Sequence, residues 1–227
     1  MTGELIELIN NVNDTGEKLE SEDFIVKELV LNNGFMVFSK NEQYNSKEIS
    51  KFNLRYLFDK YPYKHRYFAR YNLSLNDKSI VFILYNPSYA NPDENDDTIQ
   101  NCIKLAEDSG YGIVEIINLF SLRATNPKDL KESLKETNTV NKEFIISYLR
   151  QISNDENKDV VLAWGLGKEK DSYCKNLIEE IETVLKNKQT FIIGVNQEVA
   201  NEFNHHPSSQ VWNGLGGFAN LATLVKR

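Results

Sequence analysis

The sequence predicts an α/β protein: a three-layer α/β/α arrangement around a mainly parallel, four-stranded central sheet, plus a small N-terminal β-hairpin extension. Three observations carry this. Four apolar runs of strand length recur along the chain: "SIVFILY" (79–85), "YGIVEIINLF" (111–120), "KDVVLAWG" (158–165) and "QTFIIGV" (189–195). Amphipathic stretches separate them, and such alternation builds parallel sheets with helices on both faces. Ahead of them, "FIVKELVL" and "FMVFSK" flank Asn-Asn-Gly, where asparagine and glycine tolerate the positive φ of a tight hairpin turn.

Taken in order, the first 20 residues predict a short helix leading into the hairpin. Residues 1–50 form the extension, and residues 51–227 the main α/β domain. After the first buried strand, "DDTIQNCIKLAEDSG" predicts a helix with Asp96 or Asp97 as N-cap and Gly110 as its stop. A helix over 138–152, capped by Asn138, follows the second strand. "KEKDSYCKNLIEEIETVLKN" predicts a long helix after the third. A short helix over 197–203, the loop "NHHPSSQVWNGLGG" and a last helix "FANLATLVK" complete the chain.

The composition, 41% hydrophobic and 26% charged over 227 residues, suits one sizeable core. No apolar run reaches the length of a membrane span. The first residues lack the basic and apolar regions of a secretory signal, so the cytoplasm is the expected location. Cys102 and Cys174 have no Cys or His neighbours at ligand spacing, so a zinc site is not expected.

The net charge of −7 argues against nucleic acid, but its distribution does not. Residues 1–50 carry ten acids against four lysines, whereas 51–71, "KFNLRYLFDKYPYKHRYFARY", carry six cations against one aspartate. Cations among aromatics suit a surface that meets phosphates and stacks on bases, with Lys64, Arg66 and Arg70 as candidate DNA contacts. The same pattern also describes an amphipathic segment whose aromatics enter the core.

"AWGLGKEK" (163–170) has the glycines and lysine of a phosphate loop. It lacks both the spacing and the Ser/Thr hydroxyl of one, and the third glycine of a dinucleotide fingerprint is missing. Nucleotide hydrolysis is therefore disfavoured. The segment belongs instead to a group of four that follow the strands: "YNPSYANPDENDD", "NLFSLRATNP", "WGLGKEK" and "NHHPSSQ". Ligands bind beyond the carboxyl ends of such strands, and these segments are rich in Asn, Asp, Arg, His and Ser.

"RYFARYNLS", "ILYNPSYANPDENDDTI", "GYGIVEIINLFSLRATNPKDL" and "AWG" closely resemble a bacterial and phage family, the domain of unknown function 1643. More distantly, the order of motifs is similar to the uracil-DNA glycosylase superfamily. "YNPS" is similar to its water-positioning loop, "IINLF" to the strand ending in a base-reading Asn, "LAWG" to its Trp-Gly, and "HHPSS" to its His-Pro-Ser loop. The resemblance implies a glycosylase-like fold needing no cofactor, with a nucleobase or nucleotide in the pocket and single- or double-stranded DNA as partner. Asn86 would hold the attacking water, Asn118 would read the base edge, and His206 would stabilise the leaving base. Val211 or Trp212 would be the wedge that fills the vacated stack. Ser88 stands where that superfamily has glycine, and the first motif lacks the aspartate of the uracil enzymes, so a modified base is as good a substrate as uracil. The company the family keeps points to phage defence or counter-defence.

The chemistry explains the residue types. Breaking an N-glycosidic bond builds negative charge on the base, which rewards donors aimed at it, and a flipped base is read by amides and gripped by aromatics. The expected site comprises Asn86, His206 and Asp97 as catalytic groups. Asn118, Ser88, Tyr89, Arg123, Trp164, Gly165, Lys168 and Ser208 would bind the ligand. Each has a plainer role to set against this. Asn86 before Pro87 can start a turn. Asn118 can make a structural hydrogen bond, and His206 can sit in a solvated turn. Arg123 clamps either a phosphate or Asp129. Asp96 and Asp97 are either helix caps or a general base. Lys168 can be a solvated first-turn residue. The competing functions are a monofunctional glycosylase, a non-catalytic binder of nucleic acid or nucleotide, and an enzyme on free nucleosides or nucleotides.

Overall fold

The computed structural model describes residues 2–15, 20–30, 33–45, 48, 60–124, 130–165, 174–195, 205–207 and 222–227. Its strands are β1 (Phe24–Glu28), β2 (Gly34–Ser39), β3 (Arg66–Asn72), β4 (Ser79–Leu84), β5 (Ile113–Asn118), β6 (Lys158–Leu162), β7 (Thr190–Val195) and β8 (Ala222–Lys226). They form one sheet in the order β1-β2-β3-β5-β4-β6-β7-β8. The expected strands correspond to β4 to β7, which run parallel to one another. On one flank β3, β2 and β1 add antiparallel, and on the other β8 does. The sheet is thus eight-stranded and mixed, which overturns the mainly parallel, four-stranded arrangement.

Two segments account for the difference. "RYFARYN" is a strand whose polar residues are accommodated inside: Arg66, Tyr67, Phe68, Ala69 and Tyr71 are all buried. It joins the N-terminal hairpin to the sheet, so β1 and β2 are its outermost strands on that flank and not an appendage. Gly34 makes that junction possible, because a Cβ there would lie 2.1 Å from the Arg70 carbonyl oxygen. At the other end, "ATLVK" is a strand paired with β7, not the end of a helix. A five-residue apolar stretch fits either period, and the β-branched Thr223 and Val225 suit the strand.

Among the described residues the helices are α1 (Thr2–Thr15), α2 (Asp97–Asp108), α3 (Leu130–Ile152) and α4 (Lys175–Val184). No helix among the described residues is long and apolar enough to cross a membrane. The N-cap of α2 is Asp96, whose Oδ1 accepts from the Ile99 amide at 2.9 Å, and Gly110 (φ 79) follows its end. α3 begins eight residues before the expected start, since its polar first turns favour helix without showing an apolar stripe. The expected helix over 197–203 lies outside the described residues.

The helices divide between the faces of the sheet. α1, α3 and α4 share a core with Val81, Ile83, Ile117, Val160 and Leu162. α2 packs on the opposite face, with Ile80, Phe82, Leu84, Val114, Ile116 and Val161. Alternation along the strands carries Asn118, the register partner of Leu84, onto the α2 face. On the α3 face the carboxylate of Glu115 lies between Lys158 Nζ at 2.7 Å, Arg70 Nη1 at 3.3 Å and the Tyr148 hydroxyl at 2.5 Å.

Candidate functional site

The carboxyl ends of β4, β5 and β6 bring three connections to one edge of the sheet. The ladder continues past the strands: Leu119 and Phe120 amides donate to the Leu84 and Tyr85 carbonyls, and the Ala163 amide donates to Ile83. Beyond that the Ala124 amide donates to the Pro87 carbonyl at 2.9 Å. The segment 205–207 joins the same edge. Asn101 on α2 donates to the Pro207 carbonyl at 2.9 Å, and a Cβ on Gly165 would sit 3.4 Å from the His206 Cβ. Gly165 has φ 97, a conformation that side chains other than glycine's disfavour.

Asn86 is half-buried, and its Nδ2 donates to the Pro87 carbonyl at 2.9 Å and the Ala124 carbonyl at 2.8 Å. That fixes the amide and orients Oδ1, to which no donor among the described residues is hydrogen-bonded. Asn118 differs. It is 1% exposed, and both Nδ2 and Oδ1 lack a hydrogen-bond partner among the described residues. Such a group costs about 1–3 kcal/mol of desolvation. The Asn118 main chain, by contrast, is secured: Asn141 on α3 donates to the carbonyls of Asn118 and Leu119, both at 3.0 Å. Asn141 was not anticipated, although an asparagine between Val140 and Phe144 on an apolar helix face is the pattern of a buried hydrogen bond.

The two site arginines are interior. Arg123 is fully buried, with Nη1 donating to the Tyr61 and Tyr63 carbonyls at 2.9 and 3.2 Å and Nη2 to Tyr89 and Ala90 at 3.3 and 3.4 Å. Burial, aided by the nearby Arg66 charge, pushes its guanidinium down to about 9. Arg123 therefore clamps main-chain carbonyls of the segments around 61–63 and 89–90; Asp129 lies outside the described residues. Arg66 is 2% exposed and its Nη1 donates to the same Ala90 carbonyl at 3.1 Å. Its burial removes it from any solvent-facing DNA surface. The other two candidate DNA contacts are engaged as well, Arg70 with Glu115 and Lys64 with Glu48 at 2.8 Å.

The remaining expected residues are distributed as follows. Ser88 and Tyr89 are half-buried on the loop after β4, and burial raises the Tyr89 phenol above its ordinary value. Asp97 is the exposed first residue of α2, whereas Asp96 is buried and accepts from the Ala90 and Ile99 amides. Trp164 is 1% exposed within the α1/α3/α4 core, on the other face from Asn118 by strand alternation, and its Nε1 has no partner among the described residues. His206 is half-buried beside Gly165; burial holds the neighbouring His205 below the usual imidazole value, so it is neutral at pH 7. Lys168, Ser208, Val211 and Trp212 lie outside the described residues. No group of three or more His, Cys, Asp and Glu placed to hold a metal ion occurs among the described residues.

The edge thus brings together Asn86, Asn118, Ser88, Tyr89, Arg123, Gly165 and His206 on adjoining connections. It leaves Trp164 in the opposite core and Arg70 and Lys64 in ion pairs. The family described as "Protein of unknown function (DUF1643)" matches residues 66–208. The chain belongs to this family. No curated protein and no solved structure matches the chain. The DUF1643 region begins at Arg66, the first residue of β3, and takes in every connection of the edge, ending just past His206 and Pro207.

Proposed function

We propose that the protein reads a nucleobase at this edge and hydrolyses the N-glycosidic bond that carries it, the base being a damaged or modified one. One observation carries the reading: the Asn118 amide is buried with both polar atoms unpartnered among the described residues, one strand away from an Asn86 whose Oδ1 has no donor among them. A primary amide offers one acceptor and two donors to the edge of a pyrimidine-like ring. The Asn86 oxygen accepts from a water. The C1′–N bond breaks with its electron pair on the base as the water oxygen bonds to C1′ of the sugar; one water proton ends on the base nitrogen and the other stays on the new C1′ hydroxyl. In this reading His206, beside Gly165, is the donor to the departing base. The step needs no cofactor.

The test is release of free base, followed by mass spectrometry, from oligonucleotides bearing uracil, hydroxymethyl pyrimidines and phage-type modified bases. Wild-type release that falls at least 100-fold in Asn86→Ala supports the reading; no release from any DNA or nucleoside substrate sinks it. A second reading, action on free nucleosides or nucleotides, is favoured by Lys64 and Arg70 being held in ion pairs and Arg66 being buried away from the surface. Base release from nucleosides but not from oligonucleotides would select it.

A further inference from the structure

Beside Ala90 lies a cation with no ion-pair partner among the described residues. Arg66 is 2% exposed, and no carboxylate of the described residues comes within ion-pair distance of it. One carbonyl, that of Ala90, accepts from its Nη1, and its Nε has no partner among the described residues. A buried guanidinium is ordinarily paired, because removing an ion from water is costly. Here the neighbours compound the problem. The second guanidinium, Arg123, is close enough to be depressed by the Arg66 charge. The carboxylate near enough to act on Arg123, that of Asp96, has its oxygens engaged by the Ile99 and Ala90 amides.

Two further unpartnered groups lie on the α2 face. Tyr71, also on β3, is fully buried with a hydroxyl unpartnered among the described residues, near enough to Arg66 and Asp96 to feel their charges. Asn118 sits on the neighbouring strand with both amide atoms open. Of these orphaned groups, Arg66 Nε and Asn118 Nδ2 donate only, the Tyr71 hydroxyl can donate, and Asn118 Oδ1 alone only accepts. A net cation and an excess of donors call for a ligand that brings acceptors and negative charge.

We propose that Arg66 is the specificity-determining charge of the site and pairs with an anionic oxygen group of the ligand. This rests on the base-reading site above and names its substrate class: oxygen-rich and negatively charged, in preference to neutral. The anionic oxygens come either from the base itself, as a ring carboxylate, or from a nucleotide phosphate. The Arg66 fork can grip both.

The experiment measures thermal stability of wild type, Arg66→Gln and Arg66→Lys with three probes: orotate, uridine 5′-monophosphate and uridine. Wild type is stabilised by one of the two anionic probes and not by uridine, and which one responds identifies the source of the charge. Arg66→Gln melts at or above the wild-type temperature without ligand, because an unpaired buried charge is gone and Arg123 still holds Ala90. It binds the anionic probe roughly 10- to 100-fold more weakly, and Arg66→Lys keeps part of the response. A purely structural Arg66 gives the reverse: Arg66→Gln melts several degrees lower with its ligand response intact, which overturns the proposal. Equal stabilisation by uridine overturns it too, while leaving the base-reading site standing. No response to any probe overturns it as well, and the oligonucleotide assay on the same wild-type preparation shows whether the site falls with it.

Discussion

Replacing Asn118 by leucine should make the protein more stable and leave it inactive. The side chains are similar in size, and the position is 1% exposed between Leu84 on β4 and the β3 flank, so the apolar group fits the space. Two unpartnered polar atoms are removed. Their desolvation is worth about 1–3 kcal/mol, and the leucine adds apolar burial on top. For a chain of this size each kcal/mol shifts the melting temperature by about 2–4 °C, so a rise of roughly 2–12 °C is expected. The main-chain contacts from Asn141 do not involve the substituted side chain and persist. Calorimetry with urea titration measures the gain, and base release measures the loss. If the leucine variant is instead destabilised by about 1 kcal/mol or more, the amide is satisfied in solution, and the central observation behind the functional reading is wrong.

Three further outcomes follow from the structure. Glu115→Gln leaves Lys158 and Arg70 facing each other without their shared carboxylate; both are partly exposed, so the loss is about 2–4 kcal/mol, read by denaturant titration. Gly165→Ala forces a side chain into φ 97, costing about 1–3 kcal/mol and lowering base release, since the strained backbone lies beside His206. Burial, foremost, raises the phenols of Tyr67, Tyr71, Tyr111 and Tyr148 above the ordinary 10.0. The unfolded chain ionises these groups near that value while the fold keeps them protonated. Their contribution is complete below pH 10 and lost as the pH rises beyond it. Tyrosinate absorbance from these four should appear only with loss of the far-ultraviolet dichroism; native dichroism with all eleven tyrosines ionised would refute this.

The parallel strands were legible because they are buried on both faces, which leaves no polar residue between Ile80 and Leu84 to confuse the pattern. β3 was not, because its cations are accommodated by groups far along the chain. Arg66 finds its carbonyl 24 residues away at Ala90, and Arg70 its carboxylate 45 residues away at Glu115. Composition cannot separate an arginine that meets solvent from one enclosed by carbonyls, so the basic, aromatic stretch suggested a DNA surface where the fold has an interior strand. The site followed the same rule. Asn86 and Asn118 were visible as polar residues ending apolar strands, and Asp96 as a helix cap. Asn141 and the depth of Arg66 depend on packing between elements that the local sequence does not encode.

The convergence of Arg66 and Arg123 on the one carbonyl of Ala90 has a genetic consequence. Two donors on a single acceptor give the loop after β4 a built-in redundancy, so scanning by single substitution would undervalue each arginine's hold on it. Their epistasis is the telling quantity. The double variant should lose far more than the sum of the singles, because only then is the Ala90 oxygen abandoned inside the protein.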